Sequence, residues 1–403
     1  MKQSNTMTRS SIARVKKIKA KVLPPTAMSP TELRAIWQST VVGMDVHKHK
    51  ITVAVLPPAA VEPTEVLEIE NHPKAVARMA RRLAARGTLI FVYEAGPCGY
   101  EIHRRLTQLG YQAVVIAPAL VPRRPGDRVK TNRRDATKLA SLYRAGELTR
   151  IRVPTREGEA ARDLVRARED ALTDRLRARH RLSKFLLRQG RVHYGTKGWG
   201  VVHWAWLRSQ RFDLPLLQAT FEAYIRAVEE AEGRLKSLEQ QVLALAQTER
   251  YRIPVQYLRC FKGIDTLGAV IALVETQDFR RFPKAPMYMD FTGLVCSEDS
   301  SADRERRGSI TKAGNSHLRR LFVEAAWSYR HRDITSRELA KRRQGCPPEV
   351  LQIARKAQHR LHRQFWRLVC RGKLNRVAVV AVARELAGFV WALAQQFPQP
   401  RSA

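Results

Sequence analysis

The sequence predicts an α/β domain followed by mostly helical ones, on three observations. Between Val41 and Val153, short β-branched runs (TVVGMDV, ITVAVL, LIFVYE, AVVIA) alternate with helical stretches such as HPKAVARMARRLAARG. The first two runs stand only HKHK apart, which favours a hairpin and hence a mixed rather than purely parallel sheet. Two long helical stretches follow, roughly 157–189 and 214–248, and then a largely helical remainder.

A chain of 403 residues is too long for one ordinary core and should divide into two or three domains. Residues 1–31 carry seven Lys/Arg and no acid and end in Pro- and Ser/Thr-rich sequence, so a disordered basic arm is expected over 1–38. The α/β pattern assigns 39–154 to one domain, the catalytic one if the acids described below act together. Segment 155–252 is helical, and its second helix carries Phe221, Ile225, Val228, Ala231, Leu235, Leu238, Val242 and Leu245 in steps of three and four. Such a heptad seam suits a coiled coil, either an antiparallel helical pair or an oligomer contact. Between the two helices lies GTKGWGVVHWAWLRSQRF, a Gly-broken tip with Trp199, Trp204 and Trp206. Aromatics beside bases can stack on nucleotides or pack into a partner subunit. Segment 253–345 contains FKGIDTLGAVIALVE, whose Gly-x-x-x-x-Gly turn resembles a helix-hairpin-helix element with amides able to face a phosphate backbone. Segment 346–403 holds a basic helix, with eight Lys/Arg and no acid over 351–376, and then the apolar VAVVAVARELAGFVWAL.

Composition narrows the partners. The 73 Lys+Arg against 37 Asp+Glu leave a formal charge of +36, which favours a polyanion. The charge is spread over several segments, and no helix-turn-helix or zinc module stands out as a reader of base edges. The five cysteines are far apart with no Cys-x-x-Cys pair, which argues against a zinc ribbon or disulfide framework and fits a reducing cytoplasm. The N-terminus has no apolar segment of a secretory signal, and no apolar run is expected to reach the roughly 18 residues that span a bilayer.

Three acids stand out in this basic chain. Asp45 lies within the first predicted strand, Glu94 at the end of a later one, and Asp135 on a helix one turn after Asn132. Their gaps of 49 and 41 residues place them on separate elements that a ribonuclease H-like sheet could bring together. A phosphodiester repels nucleophiles, and a divalent metal held by carboxylates neutralises that charge. Mg²⁺ prefers oxygen ligands and keeps some waters, so a few carboxylates suffice. Any one of these acids alone would read as a helix cap or an arginine partner. Together they point to a metal site. His47 and His49 read as a solvated turn.

The strings GMDVHKHK and YEAGPCGY, VIAPALVP followed by VKTNRRDATKLA, and the distal GLVCSEDSSADRERRGSITKAGNSHLRRLFVEAA resemble the DEDD transposases of insertion sequences. These are recombinases guided by a structured bridge RNA. The resemblance covers about residues 40–392 and leaves out the N-terminal arm. It implies a ribonuclease H-like domain, similar to Holliday-junction resolvases, in which four acids coordinate Mg²⁺ (or Mn²⁺). Asp45 matches the first, Glu94 the second and Asp135 the fourth. The third falls on Asn132, a departure. An amide oxygen can coordinate Mg²⁺ but supplies no charge, so the site should hold metal more weakly or hold fewer ions. Asp127 could compensate or belong to a solvated basic loop.

The resemblance also implies a nucleophilic serine in a second domain, at Ser301 with Ser300 the runner-up. A serine hydroxyl needs a nearby base or metal, which the acids of the first domain would provide in a composite site. Arg304, Arg306, Arg307, Lys312, Arg319 and Arg320 suit phosphate clamping. The expected function is RNA-guided cleavage and rejoining of donor and target DNA by a homo-oligomer, dimer or tetramer, with no membrane partner. The alternatives are a metal-dependent junction nuclease, which would have no use for Ser301, and a non-catalytic nucleic-acid-binding protein.

Overall fold

The computed structural model describes residues 28–122, 131–195, 198–299 and 306–398. The chain divides into two compact units, one ending at Val153 and one beginning at Pro154.

In order, the first unit contains α1 (Pro30–Trp37), β1 (Thr40–Val46), β2 (Lys50–Leu56), β3 (Glu65–Glu70), α2 (Pro73–Ala84), β4 (Leu89–Glu94), α3 (Glu101–Gln108), β5 (Gln112–Ile116) and α4 (Asn132–Arg144). The strands form one mixed sheet in the order β3-β2-β1-β4-β5. β1 and β2 are antiparallel with Val46 opposite Ile51, so HKHK is the expected hairpin turn. β4 lies parallel to β1 on its other side, and β5 parallel to β4. This mixed α/β sheet agrees with a ribonuclease H-like architecture.

Because strand side chains alternate, the two faces have separate cores. Val42, Met44, Phe91 and Tyr93 pack with Val76, Met79 and Leu83 of α2 and Leu106 of α3. Val41, Ile90 and Val92 face the other way and pack with Leu139, Ala140 and Tyr143 of α4. The far end of α4 is fixed by Arg144, whose buried guanidinium donates to the carbonyls of Pro57, Ala60, Ser39 and Leu56 at 2.6–3.0 Å.

The expected basic arm needs a correction at its end. Residues 1–27 lie outside the described residues, but Pro30–Trp37 is a helix. Ser29 accepts from the Glu32 amide while the Glu32 carboxylate accepts from the Ser29 amide, a reciprocal cap, and Pro30 sits at the first turn. Met28 and Ile36 anchor it in the α4-side core. The Lys/Arg-rich composition upstream hid this short amphipathic piece.

The second unit begins with α5 (Arg156–Arg188), α6 (Val201–Ser209) and α7 (Pro215–Gln247). Ion pairs of Arg168 with Glu239 and of Arg179 with Glu232 show that α5 and α7 run antiparallel. On α7, Phe221, Val228, Leu235 and Val242 are buried at seven-residue spacing, so the seam is occupied within the chain. At the tip, Trp199, Trp204 and Trp206 are half-buried, with the Arg179 guanidinium 4.6 Å from the Trp199 ring centre and His203 stacked on Trp206.

There follow α8 (Glu249–Leu258), α9 (Thr266–Thr276), α10 (Ala285–Phe291), β6 (Cys296–Glu298), β7 (Arg307–Ile310), α11 (Ser316–Ala326), α12 (Arg337–Arg343), α13 (Pro348–Cys370) and α14 (Asn375–Ala394). Against the sequence expectation, α14 is long and apolar enough, by length and composition, to cross a membrane. Its Val379, Val382, Leu386, Val390 and Leu393 instead fill the core that α9, α11 and α13 share. Along this helix only Arg376, Arg384 and Glu385 are charged.

Candidate active site

The first unit assembles its acids by strand register. Along β1 and β4 the pairs run from Thr40 with Leu89 to Met44 with Tyr93, and Asp45 and Glu94 stand one step beyond at the same end. Met44 and Tyr93 belong to the α2-side core, so alternation turns Asp45 and Glu94 to the face that α4 covers. Asp45 is half-buried and Glu94 exposed.

The helix comes to this edge through a glycine. A Cβ on Gly43 would stand 2.2 Å from the Ala136 carbonyl oxygen, so α4 rests on β1 backbone to backbone. Thr131 caps α4 by accepting from the Arg134 amide, and Asp135 sits in the first turn, where the helix dipole favours an acid. Asn132, one turn earlier, is exposed beside Arg133 and Arg134. Asp127 lies outside the described residues.

The loop after β4 is tied back to the sheet. The Tyr93 hydroxyl donates to the Gly99 carbonyl and accepts from the His103 amide, both at 3.3 Å. Burial, ahead of every other influence, pushes the pKa of that phenol up, so it stays protonated. At the hairpin, His47 Nε2 lies 3.0 Å from Asp45 Oδ2. The turn is exposed as expected, yet this imidazole orients the first acid. The signal was the two-residue spacing of Asp45 and His47, which puts both on one side of the strand.

This edge offers hard oxygen donors from β1, β4 and the start of α4. Among the described residues, no three His, Cys, Asp or Glu side chains are gathered as a metal cage. Carboxylate oxygens suit a hard ion such as Mg²⁺ or Mn²⁺, which one or two of them can hold while water and substrate phosphate complete its shell. This edge does not fit a closed structural site.

In the second unit, β6 and β7 form a hairpin joined by residues 299–306. Ser300, Ser301 and Arg304 lie outside the described residues, and of Arg307 only the backbone pairing with Glu298 is described. The base of the hairpin is tightly built. Gly314 has φ +156° and leaves no room for a side chain against the Phe291 carbonyl oxygen. Arg319 donates to the carbonyls of Thr292 and Lys312, both at 3.2 Å. Arg320 pairs with buried Glu169 on α5 and with Glu324. Among the sequence-selected cations, these two are thus engaged with protein groups, whereas Lys312 is exposed at φ +56°.

Sequence reasoning missed the acids beneath that hairpin. Glu275 on α9 is 4% exposed and receives Arg166 through two bonds of 2.8 and 2.9 Å and the Asn315 amide at 2.7 Å. Asn315 also caps α11 through the Leu318 amide. Glu169 accepts from His317 and Arg320. Burial raises the pKa of both carboxyls, but the bonds from these partners outweigh it and hold both below the ordinary range. The available signal was a lone acid inside the apolar run AVIALVET.

Comparison with known proteins gives the family. Residues 42–189 match a DEDD transposase model, and residues 255–341 match the transposase IS116/IS110/IS902 family. A putative transposase of Sinorhizobium fredii is 40% identical over 336 residues, 83% of each chain. The transposase for insertion sequence element IS1533 of Leptospira borgpetersenii is 36% identical over 332 residues, 80% of this chain and 95% of that one.

Proposed function

The chain belongs to the IS116/IS110/IS902 transposase family, and we propose that it moves an insertion sequence by cleaving and rejoining DNA through an acid-bound divalent metal ion and the hydroxyl of Ser301. The observation that carries the first part is the register of Asp45 with Glu94, beside the helix turn that bears Asp135. Asp45 and Glu94 would supply the carboxylates for Mg²⁺ or Mn²⁺, with Asp135 and the neutral oxygen of Asn132 drawn in from α4 once an ion is bound. A bound ion would offset the phosphate charge that otherwise repels a nucleophile. His47 orients Asp45, and Arg133 and Arg134 bring positive charge to the same edge.

Ser301 would attack phosphorus through Oγ. One P–O bond forms, the bond to the departing strand oxygen breaks, and the serine proton passes to a base while the leaving oxygen gains one. Rejoining reverses these steps with a different strand end. Arg304, Arg306, Arg307 and Lys312 follow Ser301 in sequence and would neutralise the phosphate, while Arg319 holds the Thr292 and Lys312 carbonyls and Arg320 is engaged by Glu169.

The decisive experiment compares Asp45→Ala and Glu94→Ala with the parent protein for metal-dependent strand cleavage and for DNA binding. Cleavage should vanish while binding persists, because affinity comes from the cations. Full cleavage by either variant, or undiminished activity in excess chelator, overturns the metal assignment.

The target reader in this proposal is a structured RNA. The +36 charge is dispersed, which suits recognition of a folded RNA through shape and phosphates. Purification after transcription of the flanking DNA, followed by DNase treatment and sequencing, should recover one discrete RNA mapping beside the gene. Recovery of heterogeneous cellular RNA alone, with target choice unaffected by deleting the flank, overturns guidance. The seven-residue spacing of buried α7 positions supports reading α5 and α7 as an intramolecular coiled coil, so a dimer or tetramer would join through other surfaces.

A further inference from the structure

On the sheet face opposite α4, helices α2 and α3 border a groove of about 550 Å³. Lys74, Arg78 and Arg81 line it from α2, Arg105 from α3, over a floor that includes Ala77 and Leu109. All four cations are exposed, and among the described residues no acid lines the groove. The same helix shows the contrast. Arg82 on α2 and Arg86 just beyond it are both spent on Glu65, at 2.7 Å each. One side of α2 thus shares an acid that offsets part of its charge, and the groove side keeps all of its own.

We propose that this groove holds the phosphodiester backbone of one strand of a DNA duplex, on the sheet face opposite the one to which Asp45 and Glu94 turn. Lys74 to Arg81 spans seven residues, about 10 Å along a helix at ~1.5 Å per residue. Phosphates of one strand recur about every 3.4 Å along the duplex axis, so the row reaches about three of them. Arg105 faces the same strand from the opposite wall. Guanidinium groups suit phosphate because their paired N–H donors match its oxygens. The proposal rests on the reading that the chain acts on DNA, and it adds a holding surface distinct from the reacting one.

The test uses the full chain in chelator, so that strand chemistry does not enter, and follows affinity for a random-sequence DNA duplex as salt is varied. The groove variant is Lys74→Ala/Arg78→Ala/Arg81→Ala/Arg105→Ala, with alanine preserving the helix. The control is Arg82→Ala/Arg86→Ala, which removes the two cations engaged by Glu65. Four lost phosphate contacts should lower the salt slope by about 3.6, at ~0.9 each. Over a fourfold rise in salt, the affinity ratio of parent to groove variant should then change about a hundredfold. The control should change that slope by less than about one.

Equal slopes for the two variants would overturn the proposal, as would a loss confined to an RNA hairpin with duplex binding intact. A second measurement needs no variant. Duplex DNA should protect Lys74, Arg78, Arg81 and Arg105 of the parent from covalent modification in peptide mass mapping, and absence of protection also overturns it. Cleavage by Asp45→Ala is a separate result, so failure of the metal site and failure of the groove are distinguishable.

Discussion

Gly43 of β1 and Ala136 of α4 meet so closely that a Cβ on Gly43 would lie 2.2 Å from the Ala136 carbonyl oxygen and 2.8 Å from the Ala140 amide nitrogen. Helix backbone cannot yield as a flexible side chain can, so any larger residue must lift α4 from the sheet. Asp135 precedes Ala136 and would move with it, away from Asp45. Gly43→Val should destabilise the first unit by about 1–3 kcal/mol through overpacking. Even the milder Gly43→Ala should lose more strand cleavage than DNA affinity. Denaturant unfolding and paired cleavage and binding assays check this, and a Gly43→Ala protein with full cleavage would contradict the role given to the contact.

The sheet, and the strand-end positions of Asp45 and Glu94, were legible because their signals are local. β-branched runs broken by HKHK announce a hairpin, and the 49 residues between Asp45 and Glu94 equal the register offset between β1 and β4. What stayed hidden depends on tertiary partners. Arg319 and Arg320 look like free phosphate clamps in sequence, but Thr292, Lys312 and Glu169 approach them from other elements. Glu275 could not be matched to Arg166 across 109 residues. The seam of α7 was readable, but its choice of α5 over another subunit was not. Apolar periodicity says that a face is covered, not by what.

Asn132 gives a gain-of-function test. It is exposed at the first position of α4, one turn before Asp135, where an added carboxylate meets the helix dipole at the sheet end that carries Asp45 and Glu94. Asn132→Asp should lower the Mg²⁺ concentration needed for half-maximal cleavage by about tenfold, roughly 1.4 kcal/mol of added ion affinity. Metal titration of cleavage checks it. An unchanged midpoint would place Asn132 outside the ion's ligands.

Arg144 should act on stability alone. Its guanidinium serves four carbonyls at the end of β2 and neighbouring turns, so Arg144→Met strands buried acceptors. A loss of about 3 kcal/mol is expected, at roughly 1 kcal/mol or more per lost bond. Arg144→Lys should recover little, because one ammonium cannot span the same four acceptors. Chemical denaturation measures both, and full recovery by lysine would show that charge rather than the fork is what matters.

Glu275 predicts the acid limb of stability. Its folded pKa lies below the unfolded value, since the bonds from Arg166 and Asn315 outweigh burial. Its contribution is therefore complete above the unfolded glutamate value of about 4.3 and is lost as pH falls through the lower folded value. Glu275→Gln should cost about 2 kcal/mol near neutrality, a charged hydrogen bond's worth. That difference should shrink as the parent itself becomes protonated in acid. Unfolding measured across this range checks the sign, and a gap that widened with acid would contradict it.

The sharpest test of chemistry is the choice between Ser301 and Ser300. Both fall in the connection between β6 and β7, whose base is fixed by Gly314, Arg319 and Asn315. A serine that attacks phosphorus must leave a phosphoserine bonded to DNA when rejoining is blocked. A resolvase-type hydrolysis leaves none, because water supplies the oxygen. DNA lacking the rejoining strand end should therefore trap an adduct that survives denaturing electrophoresis and maps by mass spectrometry to Ser301. Ser301→Ala should lose the adduct and recombination while binding DNA as the parent does, and Ser300→Ala should keep all three. A reversed pattern moves the nucleophile by one residue. If both variants still cut DNA and no adduct forms with the parent, the acids alone do the cutting, and the serine belongs to the loop rather than to the reaction.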